Sequence, residues 1–235
     1  MTTLGLFGLP ETLPPERRQS TRPREVGGRM HDLLTDRAFV APVVVQCLMV
    51  AGFFVYIGGS SFVLQTQLGI SAHRYTLMFA SNAVVMILAS IAFRLLVRRT
   101  GAARLRVAGM VLADVAAAVL LAACLLAPDH RPALLVVWLP LAGMLGGMGL
   151  FLPASTAIAQ QAGRRSAGTA SALAGGLPFF VGALTTPTTG LLGSQTVLTM
   201  AGCTAGFFAA AAVAAWRLRT RSPVPERDGE LARVG

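Results

Sequence analysis

LPLAGMLGGMGLFLPASTAIAQQAGRRSAGTASALAGGLPFF, residues 139–180, is the stretch whose reading decides the fold. Two apolar, glycine-rich arms flank a short bridge holding Arg164 and Arg165. The pattern predicts a helical hairpin inside a membrane. The first arm carries Gly143, Gly146, Gly147 and Gly149 ahead of Pro153, and the second carries Gly168, Ala172 and Gly176 ahead of Pro178. In water each interior Gly costs a helix about 1 kcal/mol and each Pro about 3 kcal/mol. In lipid, unpaired backbone costs more than that deficit, so the arms stay helical. Glycines four apart, such as Gly143 and Gly147, let a neighbouring backbone come close where lipid gives no hydrophobic drive for association. Gly143, Gly147, Pro153, Gly168, Gly176 and Pro178 are therefore expected at helix-packing or gating positions.

Composition agrees with a bilayer as solvent. Of 235 residues, 54% are hydrophobic and 13% charged, with a mean hydropathy of +0.64, too little polar surface to coat a soluble globule. The net charge of +10 does not imply nucleic acid, because the arginines lie between hydrophobic runs instead of on one exposed face. All 20 Lys-plus-Arg positions are arginine, so there is no P-loop lysine and no Walker motif. Cys47, Cys124 and Cys203 sit in apolar runs without ligand spacing, which argues against disulfides and metal sites. No nucleophile, His and acid form a catalytic pattern, so neither an enzyme nor a cofactor is expected.

Six apolar runs follow the first polar segment, at about 38–64, 75–97, 105–127, 132–159, 166–192 and 195–217. Each is near the ~20 residues needed to span a hydrocarbon core. The domain expectation is a linker over 1–37 with the remnant of a preceding helix, a six-helix bundle over 38–217 and a disordered tail over 218–235. A short amphipathic helix is expected near Met30 to Leu34. Short connections imply that consecutive helices are antiparallel neighbours. Placing both termini in the cytoplasm puts 18 arginines on that side and only Arg74 and Arg131 opposite, a strong positive-inside asymmetry. Gly58-Gly59 in the first run and Gly146-Gly147 with Pro153 in the fourth lead two triplets, the pattern of inverted repeats with interrupted helices at matching places.

Several segments together resemble a known family. Leu9-Pro10-Glu11-Thr12-Leu13-Pro14-Pro15-Glu16-Arg17-Arg18 is similar to the segment after the sixth helix of Bcr/CflA-type drug-resistance transporters, within the major facilitator superfamily. Tyr56-Ile57 with Ser61-Phe62-Val63-Leu64-Gln65 resembles the end of that family's seventh helix. Residues 149–157 and 167–173 resemble its tenth and eleventh, and Arg98-Arg99-Thr100-Gly101 resembles a weakened copy of its basic cytoplasmic loop motif. The resemblance covers residues 4–218. It implies an all-α membrane protein whose six transmembrane helices form one half of a major-facilitator fold, as two inverted three-helix repeats. It also implies export of drugs or other small amphipathic compounds by proton antiport in a bacterial inner membrane. Family members have twelve helices, so a missing N-terminal half or a second copy of the chain is the implied partner, beside lipid, substrate and protons. An uptake carrier for metabolites, or a non-transporting remnant or assembly partner, fits the same residues.

Polar residues inside the runs supply the candidate site. Gln46, Met49, Phe53, Tyr56 and Ser60 share one helix face, and Asn82, Met86 and Ser90 form a second stripe. Gln46, Met49, Phe53, Tyr56, Asn82 and Thr156 are the candidate substrate-cavity residues, since few polar groups on an apolar wall suit a broad-specificity cavity. Ordinary helix packing explains the same stripe, and Asn82 bonding a neighbouring helix is a competing account. Thr185, Thr186, Thr188 and Thr189 are expected to satisfy carbonyls freed around Pro187. Asp114 is the single acid deep in a run, and an ionised Asp there costs roughly 2.5–3.5 kcal/mol unless paired. Arg94 is its expected intramembrane partner; a proton-carrier role is the alternative. His73 and His130 are read as solvated loop residues.

Overall fold

A computed structural model describes residues 23–128, 132–191 and 196–218. The expected remnant of a preceding helix, at Leu4 to Leu9, the segment Leu9 to Arg18, His130, Arg131 and the tail beyond Leu218 lie outside the described residues. In chain order the helices are α1 (Pro23–Thr35), α2 (Arg37–Gln67), α3 (Ala72–Thr100), α4 (Ala102–Leu126), α5 (Leu134–Ala162), α6 (Ala167–Thr185), α7 (Thr188–Leu191) and α8 (Val197–Arg217). A 3-10 turn, Arg164–Ser166, joins α5 to α6, and no strand occurs among the described residues. Six of the helices, α2 to α6 and α8, are long and apolar enough to cross a membrane. α1 occupies a stretch expected to be mostly linker, and its Leu33 is buried with Phe39, Val43 and Ala170.

Local chemistry sets the boundaries. The Asp36 carboxylate accepts from Ala38 N at 2.9 Å to start α2, and Thr196 Oγ1 accepts from Thr199 N at 3.1 Å to start α8. Gly101, at φ +81°, makes the sharp reversal between α3 and α4 that an L side chain would resist.

The packing order differs from the chain order. α2 packs mainly on α6 and α8, while α5 packs mainly on α3 and α4; α2 meets α5 at the centre, and α4 meets α8. Each triplet's leading helix is thus embedded in the other triplet, the arrangement of a pseudo-two-fold that exchanges α2 with α5. Consecutive helices are not in general packed neighbours: α4 on α5 is the extensive case, whereas α2/α3, α3/α4 and α5/α6 touch little. The hairpin reading of 139–180 is corrected accordingly, because the two arms share a turn and pack on different partners.

Glycines explain why. A Cβ at Gly147 would stand 2.6 Å from Gly109 O and from Ala113 N of α4, and one at Gly109 would stand 2.6 Å from Gly147 O. Gly149 faces Met86 O and Ala89 of α3. On the other leading helix, Gly52 faces the Phe208 ring of α8 at 2.8 Å, and Gly58 faces Thr186, just past the end of α6. Gly52 and Gly58 on α2 thus mirror Gly147 and Gly149 on α5, each pair admitting two helices of the opposite triplet. Among the described residues, a Cβ at Gly143 would meet only Ala116 Cβ at 3.3 Å, and at Gly168 or Gly176 it would meet nothing within 4 Å. The expectation that Gly168 and Gly176 repeat the packing device within this chain does not hold.

The prolines do not interrupt the helices that hold them. α5 runs unbroken through Pro140 and Pro153, and α6 through the buried Pro178. Pro153 has no N–H for Gly149 O, four residues earlier, and Ser90 Oγ of α3 stands 3.0 Å from that carbonyl, its one hydrogen shared between it and Met86 O at 2.9 Å. The break falls instead at Thr186 and Pro187, between α6 and α7. There Thr185 and Thr186 hydroxyls donate to Gly182 O at 2.9 and 3.1 Å, and Thr188 Oγ1 donates to Thr185 O at 2.6 Å.

Candidate functional site

Six aromatic rings form a continuous arc across α3, α2 and α6. Tyr75 and Phe79 of α3 lie 5.9 Å apart, and Phe79 stacks on Tyr56 of α2 at 6.4 Å with 18° between planes. Tyr56 lies 6.3 Å from Phe53, Phe53 meets Phe54 edge-on at 6.4 Å, and Phe54 meets Phe179 of α6 edge-on at 5.9 Å. All five spacings fall within the 4.5–7 Å range of favourable ring pairs. The helical period brings Phe53 and Tyr56 to one side of α2, and Gly182 leaves room for the Phe54 ring, which a Cβ there would approach to 2.8 Å. Tyr56 is buried, Phe53, Phe54, Tyr75 and Phe79 are half-buried, and Phe179 is 58% exposed.

A polar seam adjoins the arc. Tyr75 Oη and Ser60 Oγ are hydrogen-bonded at 3.0 Å. Trp138 Nε1 of α5 donates to both Asn82 Oδ1 and Ser81 Oγ at 3.1 Å. The Tyr56 hydroxyl and the Asn82 amide stand close enough to interact, yet Tyr56 Oη and Asn82 Nδ2 are not in hydrogen-bond geometry with any atom of the described residues. Ten residues earlier along α2, about 15 Å away, Gln46 Nε2 donates to Thr156 Oγ1 at 3.2 Å, with Gln46 Oε1 and Ser155 Oγ unpartnered. This arrangement can stack an aromatic ligand and orient it through one or two polar atoms. It has no group placed to take a proton from a bond-making step, and no cluster of His, Cys, Asp or Glu suited to a metal occurs among the described residues.

The sequence-predicted residues are not gathered into one open wall. Gln46, Met49, Tyr56, Ser60 and Asn82 are buried, with Met49 and Tyr56 inside the main apolar core beside Met144 and Met148. Phe53 and Thr156 alone among the six cavity candidates keep part of their surface. α2 is covered on most sides by α5, α6 and α8, so a stripe on it does not distinguish cavity from core. Asn82 does bond a neighbouring helix. Sequence reasoning missed Phe54, Tyr75, Phe79, Trp138 and Phe179. Their available signal was scarcity: with aromatics only 7% of the chain, five rings outside the proposed stripe deserved to be asked what they adjoin.

The Arg94–Asp114 pair is not formed. α3 and α4 both lie on α5 and meet little except near their connection. Arg94 is exposed on α3. Asp114 is half-buried on the opposite flank of α4, two turns before Leu121, which approaches Gly202 of α8. Neither side chain has an ion-pair partner among the described residues.

Two interlocked triplets of apolar helices, a set of glycines repeated on both leading helices and a half-open aromatic wall define a polytopic membrane protein with the half-fold of a secondary transporter. The sequence pattern described as Major Facilitator Superfamily matches residues 1–187. The chain is also 30% identical over 188 residues to an uncharacterized MFS-type transporter of Bacillus subtilis (strain 168), YdgK, the alignment covering 78% of this chain and 44% of that protein. The chain belongs to the major facilitator superfamily. It spans less than half the length of the relative it matches.

Proposed function

We propose that this chain is the second six-helix half of a drug:proton antiporter of the Bcr/CflA type, exporting small amphipathic compounds that carry an aromatic group. The aromatic arc is the observation that carries this reading. Its half-buried rings supply stacking surface, and Tyr56 Oη and Asn82 Nδ2 lie beneath it as the few polar atoms that orient a mostly apolar ligand. Phe53 and Thr156 are the rim; Gln46, Met49, Tyr56 and Asn82 support it from inside and reach ligand when the halves rock apart.

The working transporter contains a first half or a second copy. α3 and α6 support this, since each buries little of its apolar length within the chain and Phe179, Phe180 and Leu184 of α6 are exposed. Gly168 and Gly176, free on that helix, are packing positions toward the partner. The arginine asymmetry supports both termini lying in the cytoplasm of a bacterial cell, with 1–37 as a linker that includes α1 and 218–235 as tail.

The test uses everted inner-membrane vesicles from cells making the chain together with a first half. Proton-driven accumulation of a fluorescent aromatic cation, raised about ten-fold in KM by Phe53→Ala or Phe79→Ala, is the expected result. Accumulation of an aliphatic metabolite by right-side-out vesicles, with aromatic compounds ignored, would show an uptake carrier instead.

A further inference from the structure

We propose that the connection between α3 and α4 is a binding site for an anionic phospholipid. Arg94, Arg98, Arg99, Arg104 and Arg106 fall within thirteen residues, and the segment 94–106 has no Asp or Glu. α5, the helix on which α3 and α4 both rest, has no charged residue over its whole length. The acids of α1, Glu25 and Asp32, belong to a helix that packs on α2 and α6. Asp36 caps the start of α2, and Asp114 lies two turns beyond Arg106 on α4 with no ion-pair partner, so the five cations have no carboxylate counterion among the described residues.

The geometry concentrates them. The reversal at Gly101 brings the last turn of α3 against the first turn of α4, and Phe93, Leu105 and Ala154 pack beneath it to hold the two ends together. Arg98, Arg99 and Arg104 are exposed above that cluster, while Arg106 lies half-buried with its guanidinium 5.9 Å from the Phe151 ring centre. Below Arg104, at helical spacing on the outer side of α4, runs an exposed apolar row of Val107, Val111 and Val115. Headgroup phosphate on Arg98, Arg99 and Arg104, with an acyl chain along that valine row, satisfies both chemistries at once. Net negative charge is what selects the lipid, because a zwitterionic headgroup brings its own cation to five others.

The test is native mass spectrometry of the full chain in detergent with equal amounts of phosphatidylglycerol and phosphatidylcholine. Preferential retention of phosphatidylglycerol is expected. The combined variant Arg98→Gln, Arg99→Gln, Arg104→Gln should weaken it about a hundred-fold, from about five-fold for each basic residue near an anionic surface. The corresponding Lys variants should retain it, and Arg164→Gln with Arg165→Gln, at the same end of the bundle, should leave it unchanged. Arg104→Gln alone, an exposed change with little bearing on folding, should give about the five-fold loss. Equal retention of the two lipids by the unaltered chain would overturn the proposal. So would an equal loss in the Arg164, Arg165 variant, or displacement of the lipid by inorganic phosphate at matching concentration.

Discussion

Gly147→Ala tests how closely α4 and α5 are packed. The added methyl would lie 2.6 Å from Gly109 O and Ala113 N and 2.9 Å from Ala113 Cβ. Two of those three atoms are backbone, so no rotamer change relieves the clash. To reach ordinary contact at 3.4 Å, the helices must separate by about 0.8 Å. A gap of that size forfeits a quarter to a half of the dispersion energy at each contact it opens, and α4 on α5 is the most extensive helix pair in the bundle. Overpacking of this kind costs about 1–3 kcal/mol, partly offset by the ~1 kcal/mol helix preference of Ala over Gly. Gly176→Ala keeps the preference without the clash, since nothing lies within 4 Å. Thermal unfolding of the purified chain in one detergent, read by far-ultraviolet circular dichroism, should therefore drop for Gly147→Ala. It should hold or rise for Gly176→Ala. Equal melting temperatures for Gly147→Ala and the unaltered chain, or an equal loss from Gly176→Ala, would refute the argument.

Ser90→Ala should lower stability by about 1 kcal/mol by orphaning Gly149 O. Pro153→Ala, which restores an N–H to that carbonyl, should remove most of the Ser90→Ala penalty in a double-mutant cycle; additive effects would contradict the assignment. Trp138→Phe takes the indole donor from Asn82 Oδ1 and should cost about 1–3 kcal/mol, seen as a lower unfolding midpoint with Trp216 emission as an internal reference. Arg94→Gln and Asp114→Asn should be independent within about 0.3 kcal/mol, since the two side chains do not meet. A larger coupling in the same melting assay would reinstate the pair.

Element number, type and rough position were legible because each depends on a local quantity, the length of an apolar run against the thickness of a bilayer. Partner choice was not. Gly58-Gly59 and Gly146-Gly147 marked the two leading helices, but nothing in their spacing tells that each serves the opposite triplet. Gly143 and Gly147 look alike in sequence; a Cβ at one would meet a methyl at 3.3 Å and at the other two backbone atoms of α4 at 2.6 Å. The Gln46 to Ser60 stripe was visible, yet periodicity reports a face and not what covers it. Pro153 read as an interruption because its compensation, Ser90, sits on another helix 63 residues away in sequence. The arc was least accessible: its rings come from α2, α3 and α6, and periodicity links only Phe53 with Tyr56 on α2 and Tyr75 with Phe79 on α3, never one helix with another.

The embedding of each leading helix in the other triplet bears on how the chain is made. During synthesis α3 and α4 leave the translocation machinery before α5 exists, and α2 waits longer still for α6 and α8. No early subset is therefore a finished folding unit. The first three spans must linger in lipid as loosely associated cylinders, vulnerable to quality-control proteases, until the fourth arrives to receive two of them and the last two close around the first.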